Sequence, residues 1–396
     1  MIDTAPFSRF GYYEVNGVRH YLKTEAFRAA GSNPKLVKYR WNDDFLRLFD
    51  WSKEPEPEVG LKEFYRRRAQ QLRDKYDYVV LLWSGGPDST NVLESFVNNG
   101  IMLDEVVNAN SFDRTGVHEN TGNNADYVHN VKPVIDKMIA DGRFKGRVTV
   151  LDEIDLMRQH YNYYNTHNQD FFASSFVVGN PGMVFLKGVW LRYVPHLWNM
   201  ILSGKRVGVI KGADKPSVNI VNGKFSTAFS DISSGDLLSY FSQDADFSAV
   251  DTHEFFYHSP ECVDLIIKQV SVVKKFLETN RDPNNFVSLK DMHSKKIRPH
   301  FTAVGKHFPG HNIKYNVYTK LIYPDWTPRL VTPKPTDTVS RGQDYWWFWQ
   351  LSDEEKSFWT SRFKSYTYEF SYIWKNEERF LKQPIGFSYT DPLFLE

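Results

Sequence analysis

The sequence predicts an α/β protein in which a doubly wound parallel sheet carries an α+β extension before it and a mainly helical, aromatic-rich region after it. Three observations predict this. The run from Tyr78 to Trp83 is almost wholly apolar, as a strand buried on both faces must be. Apolar tracts then alternate with stretches of helical spacing as far as about residue 224. A bend of two glycines and a proline, Gly85-Gly86-Pro87, joins the first such tract to the helical stretch behind it.

Residues 1–70 form the extension. Its "YYEVNGVRHYL" places two β-rich runs around Asn16-Gly17, the pair that a type I′ hairpin turn favours. "SKEPEPEVG" reads as a linker. From Leu61 to Lys75 the chain has helical spacing, with Leu61, Phe64, Tyr65 and Leu72 on one face.

Residues 71–224 form the alternating unit. After Tyr78–Trp83 come helical spacing over Asn91–Asn98, a second strand in "DEVVNANSF", a helix within "NNADYVHNVKPVIDKMIADG" and a third strand in "GRVTVLDEI". A longer helical region ending in "GVWLRYVPHLWNMILSG" precedes a fourth strand in "KRVGVIKGAD". This rhythm implies right-handed crossovers, with ligands bound beyond the carboxyl ends of the strands.

Residues 225–396 form the third region, where the alternation stops. "SPECVDLIIKQVSVVKKFLETN" reads as a helix with Val263, Ile266, Ile267, Val270, Val273 and Phe276 on a buried stripe. The proline-punctuated "YPDWTPRLVTPKPTD" follows, and Ser352 to Glu355 fits a capping box.

Composition restricts the function classes. A chain of 396 residues that is 41% hydrophobic and 16% aromatic has material for a large core, which excludes a disordered protein. Lysine plus arginine (49) nearly balances aspartate plus glutamate (48), so no whole-molecule field draws in nucleic acid or an anionic membrane. The one cysteine, Cys262, forms no internal disulfide and reads as a small buried hydrophobe. With neither a signal peptide pattern nor an apolar run of spanning length, the sequence reads as cytoplasmic, with no membrane partner.

The bend at the end of the first strand is suited to an anion. Glycines there permit close backbone approach, the following helix start supplies amides and partial positive charge, and Ser84 and Ser89 add hydroxyls. Asp88 repels phosphate unless a divalent cation lies between them or it caps the helix. Ser84-Gly85-Gly86-Pro87-Asp88-Ser89 resembles the S-G-G-x-D-S signature of the PP-loop family, the N-type ATP pyrophosphatases and their adenylating relatives. Five specified positions arise by chance in a chain this long on the order of once in a thousand cases, so the match carries weight.

The resemblance spans about residues 78–222 and implies a Rossmann-like domain in which the loop holds the β- and γ-phosphates of ATP while the α-phosphate is attacked. Pyrophosphate leaves and AMP passes to the substrate, with Mg²⁺ neutralising charge on the departing phosphates. It implies Ser84, Gly85, Gly86 and Ser89 as phosphate ligands and Asp88 as a metal ligand. Gly212-Ala213-Asp214 resembles the G-x-D element that asparagine synthetases and other members set opposite the loop, which implies Asp214 as a second metal ligand. The family often has another acidic residue next, whereas this chain has Lys215, a cation that suits phosphate. Gly212–Asp214 also fits a plain turn ending a strand. Arg192 either reaches the α-phosphate, as basic residues in this helix do in relatives, or is an exposed solubilising residue. Asn108 to Ser111 would lie near adenine or ribose if the sheet is laid out as in the family.

Absences narrow the chemistry. One cysteine excludes thiol relays and four-cysteine zinc sites, and the start Met1-Ile2-Asp3 lacks a terminal cysteine nucleophile. Adenylation of a carboxylate or amide-type oxygen, followed by attack of ammonia or an amine, remains as the leading expectation: an AMP-forming ligase with a small-molecule acceptor. The alternatives are an adenylating enzyme that modifies tRNA or a nucleobase, for which the basic, histidine-rich section His293 to Asn316 would contact RNA, and a non-catalytic nucleotide-binding scaffold. Two other features read as structural: the acid-rich "DTHEFFYHSPEC", favouring caps and loop hydrogen bonds over a metal site, and the cluster Trp346, Trp347, Phe348 and Trp349, favouring packing over base stacking.

Overall fold

The computed structural model describes residues 11–20, 23–31, 33–41, 56–110, 127, 131–152, 154–156, 158–159, 161–162, 190–212, 216–221, 224–229, 253–257, 259–279, 320–325, 351–358, 372–374, 377–379 and 390–395. In chain order the strands and α-helices that carry the argument are β1 (Tyr12–Val15), β2 (Val18–His20), α1 (Lys23–Ala30), β3 (Lys38–Arg40), α2 (Leu61–Lys75), β4 (Tyr78–Leu82), α3 (Pro87–Val97), β5 (Glu105–Asn110), α4 (Lys132–Ala140), β6 (Arg147–Asp152), α5 (Pro195–Leu202), β7 (Val207–Lys211), β8 (Ser217–Val221), β9 (Lys224–Ala228), β10 (His253–Phe255), α6 (Val263–Thr279), β11 (Tyr372–Trp374), β12 (Glu377–Arg379) and β13 (Leu393–Leu395).

A Rossmann-like sheet of five parallel strands, in the order β10-β7-β4-β5-β6, forms the centre. Chain order runs outward from β4 through β5 to β6, then returns across β4 to continue with β7 and β10. The order therefore reverses between β4 and β7. Alternate side chains separate two cores. Val79, Leu81, Val106 and Ile210 join the cluster that contains the buried faces of α2, α3, α4 and α6. Val80, Val107, Val207 and Val209 join Leu191, Val194, Leu197 and Ile201 on the other side. Helical segments thus cover both faces, which is why the strands read as continuous apolar runs.

The hairpin forms at Asn16-Gly17, where both residues have positive φ (50° and 80°) and Val15 pairs with Val18, as a type I′ turn demands. β3 completes this small sheet, whose Tyr13, Tyr39 and Trp41 share the larger core. Trp41 stacks on Phe229 at 4.3 Å, next to the point where Thr390 hydrogen-bonds the Phe229 backbone. Beyond it, β13 pairs antiparallel with β9, and β9 with β8. The reciprocal capping box also forms: the Ser352 amide donates to Glu355 at 2.7 Å and the Glu355 amide to the Ser352 hydroxyl at 3.2 Å.

Three elements differ from the sequence reading. α3 begins at Pro87, a turn before the apolar spacing, because proline suits the first helical position and the opening turn is polar. The last part of the region before β7 is two pieces, a 3₁₀ turn over Trp190–Tyr193 and then α5; proline disfavours helical backbone in the residue before it, and Val194 sits at φ −115°, ψ 86°. Most significantly, the alternation does not end near 224. Three residues, His253–Phe255, add a fifth parallel strand beside β7.

β10 was hidden in the sequence because its middle residue is Glu254. That carboxylate, 2% exposed, accepts from Lys75 Nζ at 2.6 Å and the Tyr76 hydroxyl at 2.5 Å, with Arg68 at 3.5 Å. Arg68, also 2% exposed, donates to the carbonyls of Phe255 (3.0 Å) and Phe256 (3.3 Å) and to Glu261 (3.1 Å). The acid-rich stretch is thus tied to α2, and Ser259 caps the turn at Glu261. Burial would raise the Glu261 carboxyl, but Arg68 and Lys75 outweigh it and hold it below its ordinary value. Cys262 is buried there, which pushes its thiol up.

At the amino ends of the central strands, Arg206 grips Asp77 through its guanidinium (2.8 Å) and its backbone amide (2.9 Å), holding the Asp77 carboxyl down at about 2. Glu105, fully buried, accepts from Tyr78 (3.0 Å) and Thr149 (2.5 Å) and pairs with His196 Nε2 (2.7 Å). No helix among the described residues is long and apolar enough to cross a membrane.

Two outcomes follow from these paired charges, Arg68 buried and Asp77 exposed. Arg68→Met takes a donor from two carbonyls and from two carboxylates that Lys75 alone cannot balance, and lowers the unfolding free energy by about 3–5 kcal/mol in urea titration. Asp77 contributes stability that is complete above its unfolded value near pH 4 and vanishes as pH falls through about 2, so Asp77→Asn flattens the acid limb of a stability profile over that interval.

Candidate functional site

The reversal of strand order puts the carboxyl tips of β4 and β7 side by side, with Leu82 opposite Lys211 in the register. Each tip continues into glycine: Ser84-Gly85-Gly86 after β4 and Gly212 after β7. Open α/β sheets bind ligands at such a reversal, because the two connections leave on opposite faces and a crevice opens between them.

Anchors below the bend define its position. The Trp83 amide donates to Val107 at 2.8 Å, its indole donates to Thr90 at 3.1 Å, and its carbonyl accepts from Asn108 Nδ2 at 2.8 Å. Gly85 then takes φ +76°, the left-handed region that disfavours a side chain, and reverses the chain into α3. Gly86 is the N-cap and has no side chain to offer the first-turn amides. A Cβ on Gly212 would lie 2.7 Å from the Ser89 Cα and 2.9 Å from its nitrogen, so only glycine lets the β7 tip pack against this turn.

The hydroxyls of the bend hold it closed by long contacts. Ser84 Oγ and Ser89 Oγ lie 3.1 Å apart, the Gly86 amide donates to Ser84 Oγ at 3.3 Å, and the Ser84 amide donates to Ser89 Oγ at 3.3 Å. These lie at or beyond the ordinary hydrogen-bond range. An anion offering charge-assisted bonds of about 2.7–2.9 Å competes well for the same donors.

Asp88, in the first turn of α3, is half-buried. Its Oδ1 accepts from the Tyr323 hydroxyl at 2.6 Å and its backbone carbonyl from the Tyr257 hydroxyl at 2.9 Å. Tyr65, Tyr257 and Tyr323 pack as a buried trio with ring centroids 5.7–6.1 Å apart. Burial foremost, then the neighbouring Asp88 carboxylate, pushes the Tyr323 phenol well above its ordinary value, so it remains a neutral donor.

The sequence-predicted residues Ser84, Gly85, Gly86, Asp88, Ser89 and Gly212 therefore converge on one spot. Asp214 and Lys215 lie outside the described residues, as do Ser111, the basic section 293–316 and the tryptophan cluster 346–349. Arg192 falls in the 3₁₀ turn, and its side chain lies outside the described set. Asn108 lies two residues before the end of β5, 5% exposed, with Oδ1 lacking a partner among the described residues. Two features escaped the sequence reading. Lys211, 9% exposed at the tip of β7, stands out as a cation in an apolar run, a signal that was available. The two phenols on Asp88 gave no local signal.

One carboxylate and two hydroxyls make a hard oxygen donor set, too few for a metal cage but suited to a Mg²⁺ that arrives on phosphates and keeps waters. The residues present fit that ion. A hollow of about 410 Å³ opens elsewhere, against α2 and the start of α6, lined by Phe64, Arg67, Arg68, Gln71, Glu261 and Asp264 among others, and it shares no residue with the bend. No family model matches the chain, and no curated protein matches it either, so the chemistry of the site has to be read from its geometry.

The glycine contact yields a direct test. Gly212→Ala drives a methyl into the backbone of α3 and costs about 1–3 kcal/mol by urea unfolding, whereas Gly60→Ala, with no atom within 4 Å of the added methyl, loses only the N-cap preference for glycine over alanine and costs less.

Proposed function

We propose that the tips of β4 and β7 bind Mg·ATP, in a doubly wound domain of PP-loop type, and that the chain splits ATP into AMP and pyrophosphate to activate an acid. The observation that carries this reading is the packing of Gly212 against Ser89. It sets a glycine-ended strand beside an S-G-G-x-D-S bend at the point of strand reversal.

In this reading the bend and the first-turn amides of α3 hold the β- and γ-phosphates, with Ser84 and Ser89 exchanging their mutual contact for phosphate oxygens. A carboxylate oxygen of the acceptor attacks the α-phosphorus. The bond to the α–β bridging oxygen breaks, its electron pair leaves with pyrophosphate, and an acyl adenylate forms. Ammonia or an amine then attacks the acyl carbon, loses a proton to solvent and expels AMP. Asp88 and Asp214 would hold Mg²⁺, which would supply charge neutralisation for the leaving pyrophosphate. Lys215 or Arg192 would balance charge at the α-phosphate, and buried Lys211 is a cation at the tip of β7. Asn108 Oδ1 offers an acceptor to an amino or hydroxyl donor of the nucleoside.

The test is product analysis with α-labelled ATP, Mg²⁺, ammonia and a panel of small carboxylic acids. AMP and pyrophosphate are expected in equal amounts, with Asp88→Ala lowering turnover by about 10²–10³. ADP and phosphate as products would reject this chemistry. ATP binding without turnover on any acid would leave a nucleotide-binding scaffold instead.

A further inference from the structure

We propose that Tyr323 is a positioning residue for Asp88, fixing the orientation of that carboxylate toward the metal carried by the nucleotide. The inference rests on the Mg·ATP reading of the bend and adds to it a residue 235 positions away in the chain.

An aspartate in the first turn of a helix has competing uses, because its short side chain can turn back to nearby backbone amides or outward to a ligand. The Tyr323 hydroxyl, 2.6 Å from Oδ1, selects among them. A carboxylate has about four acceptor directions, so one strong hydrogen bond sets the plane of the group without exhausting its capacity.

Packing alone does not account for this arrangement. Tyr323 is 0% exposed, and burying a hydroxyl is unfavourable unless it finds a partner, so phenylalanine would serve a purely apolar site better. Two buried phenols from separate segments finish on the same residue, Tyr323 on its side chain and Tyr257 on its carbonyl. Each is itself held. Asn91 Nδ2 donates to the Tyr257 hydroxyl at 2.8 Å. The Tyr65 hydroxyl donates to the carbonyl of Ile322, adjacent to Tyr323, at 2.5 Å, while Gln269 Nε2 donates to the Tyr65 hydroxyl at 3.1 Å. α2, α6 and the segment 320–325 thus jointly place the phenol that meets the carboxylate, and Asn91 in α3 steadies the phenol that meets the backbone carbonyl of the same residue.

The experiment measures Mn²⁺ binding by electron paramagnetic resonance in the presence of α,β-methylene-ATP, with metal-free pyrophosphate binding followed separately by calorimetry. Tyr323→Phe keeps the ring and removes only the hydroxyl. It is expected to weaken Mn²⁺ binding about tenfold, the usual scale for loss of a ligand-orienting hydrogen bond, and to leave pyrophosphate affinity at the wild-type value. Mn²⁺ affinity unchanged in Tyr323→Phe would overturn the inference while leaving the nucleotide reading intact. A wild-type chain that binds neither the nucleotide nor pyrophosphate would overturn that reading and this inference with it. Asp88→Glu asks the same question with the hydroxyl in place and the fold of the trio preserved: its carboxylate keeps its charge but loses its register with Tyr323, so Mn²⁺ binding falls comparably, and wild-type affinity there also counts against the proposal.

Discussion

The approach of the β7 tip to the first turn of α3 is the constraint from which the rest of the site follows. Strand order makes β4 and β7 neighbours, and Gly212 lets the end of one meet the backbone that follows the other. With a side chain at that position the helix start would have to move, and the bend at Gly85-Gly86 with it. The serine hydroxyls, the Asp88 carboxylate and the capping glycine owe their convergence to a contact of backbone on backbone.

The two ends of the sheet are built in opposite ways. At the amino ends, charges are paired or buried with full sets of partners: Asp77 with Arg206, and Glu105 with Tyr78, Thr149 and His196. Beside them, Glu254 is held by Lys75, Tyr76 and Arg68. Most of these contacts are short, and those of the buried Glu105 and Glu254 are expensive to break. At the carboxyl tips, the bend is closed by hydroxyl contacts of 3.1–3.3 Å over a rigid base at Trp83. A frame pinned at one end with exchangeable polar contacts at the other suits a site that must admit and release an anion, since the cost of rearrangement falls where the interactions are weakest.

The central strands and the bend were legible in the sequence because each advertises itself locally. Buried parallel strands read as apolar runs, Asn16-Gly17 permits few other turns, and the spacing of Leu61, Phe64, Tyr65 and Leu72 survives intact as the buried face of α2. What stayed hidden depends on distant partners. β10 is three residues long with an acid at its centre, and it reads as a strand only once Lys75 and Arg68 are seen to neutralise Glu254. Tyr323 opens a proline-punctuated stretch with no pattern of its own; its place beneath the bend is set by Tyr65, Tyr257 and Asp88. The break at Pro195 was written in the sequence and outweighed by the helical spacing on either side of it.

The most direct measurement of the central claim, that the adjoining tips of β4 and β7 form an anion site, is amide hydrogen exchange with and without pyrophosphate and Mg²⁺. Exchange at Gly85, Gly86, Asp88 and Ser89 should slow sharply on addition, with the strands beneath, already protected, unchanged. Exchange at those four amides that is indifferent to pyrophosphate, or protection that develops only in another part of the chain, would contradict the account.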